Sequence, residues 1–135
     1  MSSILIAESG STKTDWCLAG ATKRPLYYKT SGINPYLQSE GEIIAVLENE
    51  LKLHKHKPEQ LYYYGAGAGS KQKQTELKKV LANYFGIKSV EVNSDMLAAA
   101  RAMCGHDKGV VAILGTGSNS CYYDGKKAKT QSPSL

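Results

Sequence analysis

The sequence lacks any long apolar run: its longest, Gly109-Val110-Val111-Ala112-Ile113-Leu114, is far too short to span a bilayer. No basic segment followed by an apolar stretch opens the chain, which argues against a secretory signal peptide. Cysteine is scarce. Cys17, Cys104 and Cys121 show no paired spacing, and their odd number argues against a disulfide framework, so a reducing, cytoplasmic setting is expected. Low-complexity segments and internal repeats are also absent. With 135 residues, 41% hydrophobic and 21% charged, the composition is that of a single globular domain able to bury a core without staples.

A net charge of +5 invites a nucleic-acid reading, yet no nucleic-acid-binding motif is present. The positive charge gathers in Lys52–Lys57, Lys71–Lys79 and Lys126–Lys129, and two of these runs sit on or beside predicted helices, where exposed lysines are ordinary. Neither a nucleic-acid nor a membrane partner is expected. His54 and His56 are two residues apart, so on a helix they would not share a face to hold a metal.

What is present begins with three strands in quick succession, at residues 3–8, 14–19 and 26–29, joined by the turns SGSTK and GATKR. From Ser39 to about Lys55 the period becomes helical: Ile43, Ile44, Leu47 and Leu51 recur on one face, and Ser39 with Glu42 forms a capping box. Leu61–Tyr64 reads as a strand entering the glycine run 65–69. A helix with Leu77, Val80, Leu81 and Tyr84 on one face follows, and Gly86 ends it. A strand at 89–92 leads to a helix over 96–103, capped from Asn93-Ser94-Asp95. Strands at 109–114 and 119–123 close the series, with Asp124-Gly125 as a hairpin signal. The order βββαβαβαββ implies an α/β domain, a mixed sheet with helices on its faces.

Polar points fall at the carboxyl ends of these strands: Glu8 with SGSTK, the GAGAGS turn, Ser94-Asp95, and GTGSNS at 115–120. That is where open α/β sheets bind ligands. Glycine and serine let backbone N–H groups approach phosphate oxygens, Thr12 and Ser118 add hydroxyl donors, and Lys13 adds positive charge. Glu8 is placed to hold Mg²⁺ through water. The first turn is no P-loop, for it lacks the Gly-x-x-x-x-Gly-Lys pattern and leads into a strand. GAGAGS does not complete Gly-x-Gly-x-x-Gly, since Ser70 stands at the third glycine. Taken alone, Asp95 reads as a helix-capping residue.

The segments AESGSTKTDW, SGINPY, NSDMLAAARA and GVVAILGTGSNSC resemble, in order, the motifs of the N-acetylglucosamine kinase and BadF/BadG-type ATPase family, within the actin–hexokinase–Hsp70 superfamily. The resemblance implies a ribonuclease H-like, actin-type ATPase domain with a mixed five-stranded sheet and helices on both faces. It implies ATP and Mg²⁺ as cofactors and a hexosamine such as N-acetylglucosamine as substrate. The first hairpin (Gly10, Ser11, Thr12, Lys13) and the second (Gly115, Thr116, Gly117, Ser118) would hold ATP phosphates, Asn34 and Asn119 the sugar, Glu8 the metal. Asp95 would sit against the sugar hydroxyl as catalytic base. Residues 1–135 would be the first of two domains, inactive alone, in a protein that dimerises mainly through the second. A BadF/BadG-type activator would place cysteines around an iron–sulfur cluster, but Cys17 and Cys121 fall inside predicted strands and Cys104 has no second cysteine near it in sequence.

Overall fold

The structure is a computed structural model describing residues 2–65, 70–114 and 118–129. The chain divides into two compact units, Met1–Asn93 and Ser94–Leu135. Chain length alone had given one.

The first unit holds β1 (Ile4–Ser9), β2 (Lys13–Ala19), β3 (Leu26–Ser31), α1 (Glu40–Glu50), β4 (Gln60–Gly65) and α2 (Lys71–Phe85), and β5 (Ser89–Ser94) runs to its boundary. The sheet order is β3-β2-β1-β4-β5. β1 pairs antiparallel with β2 and parallel with β4, so the sheet is mixed as expected. Period-two alternation turns Leu5, Ala7 and Ser9 inward from β1, with Thr14, Trp16 and Leu18 from β2 and Leu61 and Tyr63 from β4. Apolar members of that face pack with Ile43 and Leu47 of α1 and Leu77, Val80 and Leu81 of α2 in one core, so both helices of this unit cover the same face. Trp16 anchors it: its indole N–H donates to Thr30 Oγ1 at 3.0 Å, satisfying the one polar atom of a side chain otherwise sealed from water.

α1 starts where the capping box places it, with Ser39 Oγ accepting from Glu42 N–H and the Glu42 carboxylate accepting from Ser39 N–H. It ends at Glu50, short of the expected Lys55, because Leu51 turns to extended backbone (φ −87, ψ 100). Leu51 and Leu53 are buried while Lys52 between them is exposed, an alternation no helix face provides. The basic run Lys52–Lys57 therefore lies in a loop anchored by buried leucines. α2 is capped by Ser70, whose hydroxyl accepts from Lys73 N–H, and ends at Gly86 in the left-handed region (φ 65).

The second unit holds α3 (Asp95–Cys104), β6 (Gly109–Leu114), β7 (Ser118–Tyr123) and β8 (Ala128–Lys129). Its sheet runs β6-β7-β8, antiparallel throughout. Met96 and Ala100 of α3 pack against Val111, Cys121 and Tyr123. The two-residue β8 extends the expected order by one strand. The Asp124-Gly125 signal is the turn that adds it: Asp124 Oδ1 accepts from the N–H groups of Lys126 and Lys127, and Gly125 takes φ 97. The isolation of Cys104 read from the sequence is corrected by folding, which packs it against the cluster containing Cys121. Among the described residues, no group of three or more His, Cys, Asp or Glu is arranged to hold a metal ion, and no helix is long and apolar enough to cross a membrane.

Candidate functional site

In the first unit the β1–β2 turn is tight because Gly10 N–H donates to the Lys13 carbonyl at 2.9 Å. Ser9 pairs with Thr14 across the strands and Glu8 with Asp15, which leaves Ser11 and Thr12 exposed at the tip. Glu8 and Asp15 stand directly opposite on one face, a like-charge placement that is unfavourable without a cation nearby. Lys13 Nζ lies 3.5 Å from Asp15 Oδ2. Lys13 is thus drawn to the carboxylate side of the hairpin, with 64% of its side chain still exposed.

The chain leaving β3 passes directly behind this turn. Gly32 N–H donates to the Thr12 carbonyl at 3.0 Å, and a Cβ on Gly32 would stand 2.7 Å from the carbonyl oxygens of both Gly10 and Ser11. Only glycine allows that approach. Two residues later Asn34 builds its own turn: its Oδ1 accepts from Tyr36 N–H (2.9 Å), and its carbonyl accepts from the N–H groups of Leu37 and Gln38. Asn34 N–H donates to Gln38 Oε1 at 2.8 Å. With the Asn34 side-chain oxygen accepting from Tyr36 N–H, its amide NH₂ remains a group that can only donate. Asn34 and the Gly10–Lys13 turn thus share one end of the first unit.

In the second unit Asp95 is the first residue of α3, half-buried, and Ser94 before it makes no side-chain capping bond. Ser118 opens β7 opposite Leu114. Asn119 Oδ1 accepts from Ser120 N–H at 2.9 Å, so its carbonyl, like that of Asn34, is spent on local backbone. Gly115, Thr116 and Gly117, and residues 66–69 of the GAGAGS turn, lie outside the described residues. The predicted set accordingly divides into Glu8, Gly10, Ser11, Thr12, Lys13 and Asn34 in the first unit and Asp95, Ser118 and Asn119 in the second.

Sequence reasoning overlooked the residues that hold the first group in place. Ser9 and Thr14 are fully buried, as is Tyr63, whose hydroxyl donates to the Ile33 carbonyl at 3.0 Å. Tyr63 had read only as strand. Its signal was a polar-tipped side chain on the inward phase of a strand that ends in glycine.

Three solved structures share this fold. A candidate N-acetylglucosamine kinase from Porphyromonas gingivalis is 42% identical, with TM-score 0.87, the match covering 96% of this chain and 47% of that one. A second candidate N-acetylglucosamine kinase, from Chromobacterium violaceum, is 17% identical with TM-score 0.64, over 96% of this chain and 48% of that one. The Ppx/GppA phosphatase of Aquifex aeolicus is 19% identical with TM-score 0.52, over 100% of this chain and 52% of that one, a likeness of fold alone. The chain spans about half the length of each of these three structures. No family model and no curated protein matches it.

Proposed function

We propose, on the premise that this chain belongs to the N-acetylglucosamine kinase-like family of the actin-type ATPase fold, that it is the first lobe of an ATP-dependent kinase acting on a hexosamine. The observation that carries the reading is the 42% identity over 96% of the chain. The phosphate-type turn joined to the Asn34 turn is its chemical counterpart.

Phosphoryl transfer requires positioning and charge neutralisation more than covalent chemistry. The Gly10–Lys13 turn offers backbone N–H groups, the exposed hydroxyls of Ser11 and Thr12, and the Lys13 ammonium to the phosphates from one side. Gly115, Thr116, Gly117 and Ser118 are assigned phosphate contacts by the family resemblance alone. The carboxylates Glu8 and Asp15, paired across the strands, would suit a hydrated Mg²⁺, since hard oxygen donors at the base of a phosphate turn match its preference. Mg²⁺ bound with the nucleotide supplies neutralisation of phosphate charge. Asn34 donates its NH₂ to a sugar oxygen, and Asn119 completes the sugar side. Asp95 accepts the proton of the attacking hydroxyl, a contribution of about 10²–10⁴-fold in rate. The remaining half of a two-lobed enzyme would carry the adenosine side and exclude water on closing.

Asp95→Asn in the natural-length gene product tests the assignment. Sugar-dependent ATP consumption should fall by about 10²-fold or more while sugar affinity changes little. Turnover within a few-fold of the parent would remove Asp95 from the chemistry.

A further inference from the structure

Ser9, Thr14 and Tyr63 carry buried hydroxyls for which the proposed chemistry has no use. Buried polar groups are costly unless their partners are fixed, and these partners form a continuous path. Ile33 N–H donates to Ser9 Oγ at 2.9 Å. Ser9 Oγ and Thr14 Oγ1 are 2.7 Å apart, and Thr14 Oγ1 donates to the Ser31 carbonyl at 3.0 Å. Each hydroxyl has one proton. Two arrangements satisfy the geometry: Thr14 donates to Ser31 and Ser9 to Thr14, or Thr14 donates to Ser9 and Ser9 to the Ile33 carbonyl at 3.2 Å, and in either one Ile33, Ser9 and Thr14 are joined by hydrogen bonds. The Ile33 carbonyl is held from β4 by the Tyr63 hydroxyl.

Two glycines make room for this. A Cβ on Gly65 would lie 2.5 Å from Tyr63 Cε1 and 2.7 Å from its hydroxyl oxygen, so glycine at that position is what lets the ring reach Ile33. Gly32, one residue before Ile33, lies against the phosphate-type turn through its bond to Thr12. Strands β1 and β4 therefore grip both polar groups of Ile33, with β2 joined to them through the Ser9–Thr14 bond, while its neighbours on either side serve the two turns.

We infer that Ser9, Thr14 and Tyr63 are positioning residues that clamp the Asn34 turn to the Gly10–Lys13 turn, so that a phosphoryl donor on one and an acceptor alcohol on the other are held in register as one body. For its ligands this inference rests on the sugar-kinase reading; the clamp itself rests on the hydrogen bonds. The consequence is coupling. A nucleotide that orders the first turn also orders Asn34 and tightens the sugar, and the reverse holds to the same factor.

The test compares Thr14→Val, Thr14→Ser and Tyr63→Phe with the natural-length parent. One readout is kcat and KM for N-acetylglucosamine, with its affinity measured with and without a non-hydrolysable ATP analogue. The other is amide hydrogen exchange at residues 10–13 and 32–34. Thr14→Val and Tyr63→Phe should lower kcat/KM for the sugar about tenfold and abolish its tightening by the analogue. Exchange should rise in both turns together. Thr14→Ser keeps the hydroxyl and should stay near the parent. Exchange that rises around Ile33 alone, or Thr14→Ser behaving like Thr14→Val, would overturn the clamp. If the parent phosphorylates no sugar, the kinase reading falls and the exchange pattern alone decides the clamp: a joint rise upholds it, an isolated rise ends it.

Discussion

At the scale of single residues, side chains here answer to neighbours far away in sequence. Gly32→Ala would drive a methyl group against two backbone carbonyls that cannot swing aside. It should cost about 1–3 kcal/mol, read as a lowered urea midpoint, and should weaken phosphate binding at the adjoining turn. Burial pushes the Cys121 thiol up, and nearby Cys104 adds to the shift, so Cys121 stays a neutral thiol at pH 8. Alkylation followed by mass mapping should modify half-exposed Cys17 before Cys121; labelling of Cys121 first would contradict this packing. Asp124 works the other way. The N–H groups of Lys127 and Lys126, with the Lys129 ammonium, hold its carboxyl well below its ordinary value of 3.8. A depressed native pKa means its support for the β7–β8 turn is complete above the ordinary 3.8 and is lost progressively as pH falls from there through the depressed native pKa. Exchange of the Lys126 and Lys127 amides should quicken in Asp124→Ala at neutral pH and show no such quickening in the parent. Glu8, Asp95 and the glycine turns stood out as a pattern of residue types at strand ends, whereas Asn34 entered only through the family resemblance. Ser9, Gly32 and Tyr63 were not legible, because a buried hydroxyl on a strand gives no hint of the loop it meets.

At the scale of elements, local chemistry reads well where the caps are explicit. Ser39 with Glu42, and Gly86, placed the start of α1 and the end of α2 within a residue or so. Ser39→Ala should cost about 1 kcal/mol, and Gly86→Ala about the same, through left-handed backbone alone since nothing lies within 4 Å of the added methyl. Thermal melts would check both; an unchanged Gly86→Ala would mean that the α2 terminus adopts another conformation. The end of α1 carried no such signal. Leu51 keeps the helical spacing of Ile43 and Leu47, yet it is buried as the first of two alternating leucines in extended chain. Periodicity cannot separate these cases when a helix exit stays in the core. β8 escaped notice for a related reason: two residues carry no period, and only its turn was visible.

At the scale of the whole molecule, the strand–helix order and the mixed sheet followed from changes of hydrophobic period, whereas the division into two units did not. The βαβ rhythm runs unbroken through Asn93-Ser94-Asp95, the junction where one core ends and the next begins. The proposed roles fall on both sides of that junction. The 135-residue chain alone should bind inorganic phosphate weakly and show no measurable sugar phosphorylation; turnover by it would refute the two-lobe account. The central claim is the transfer of phosphate from ATP to a sugar. Its most direct measurement uses γ-labelled ATP and the natural-length gene product, with a small hexose panel led by N-acetylglucosamine and Asp95→Asn alongside. The account predicts label on a hexosamine with the parent and none with the variant. Label released only as inorganic phosphate, whatever sugar is supplied, would contradict it and leave an ATPase on the same fold.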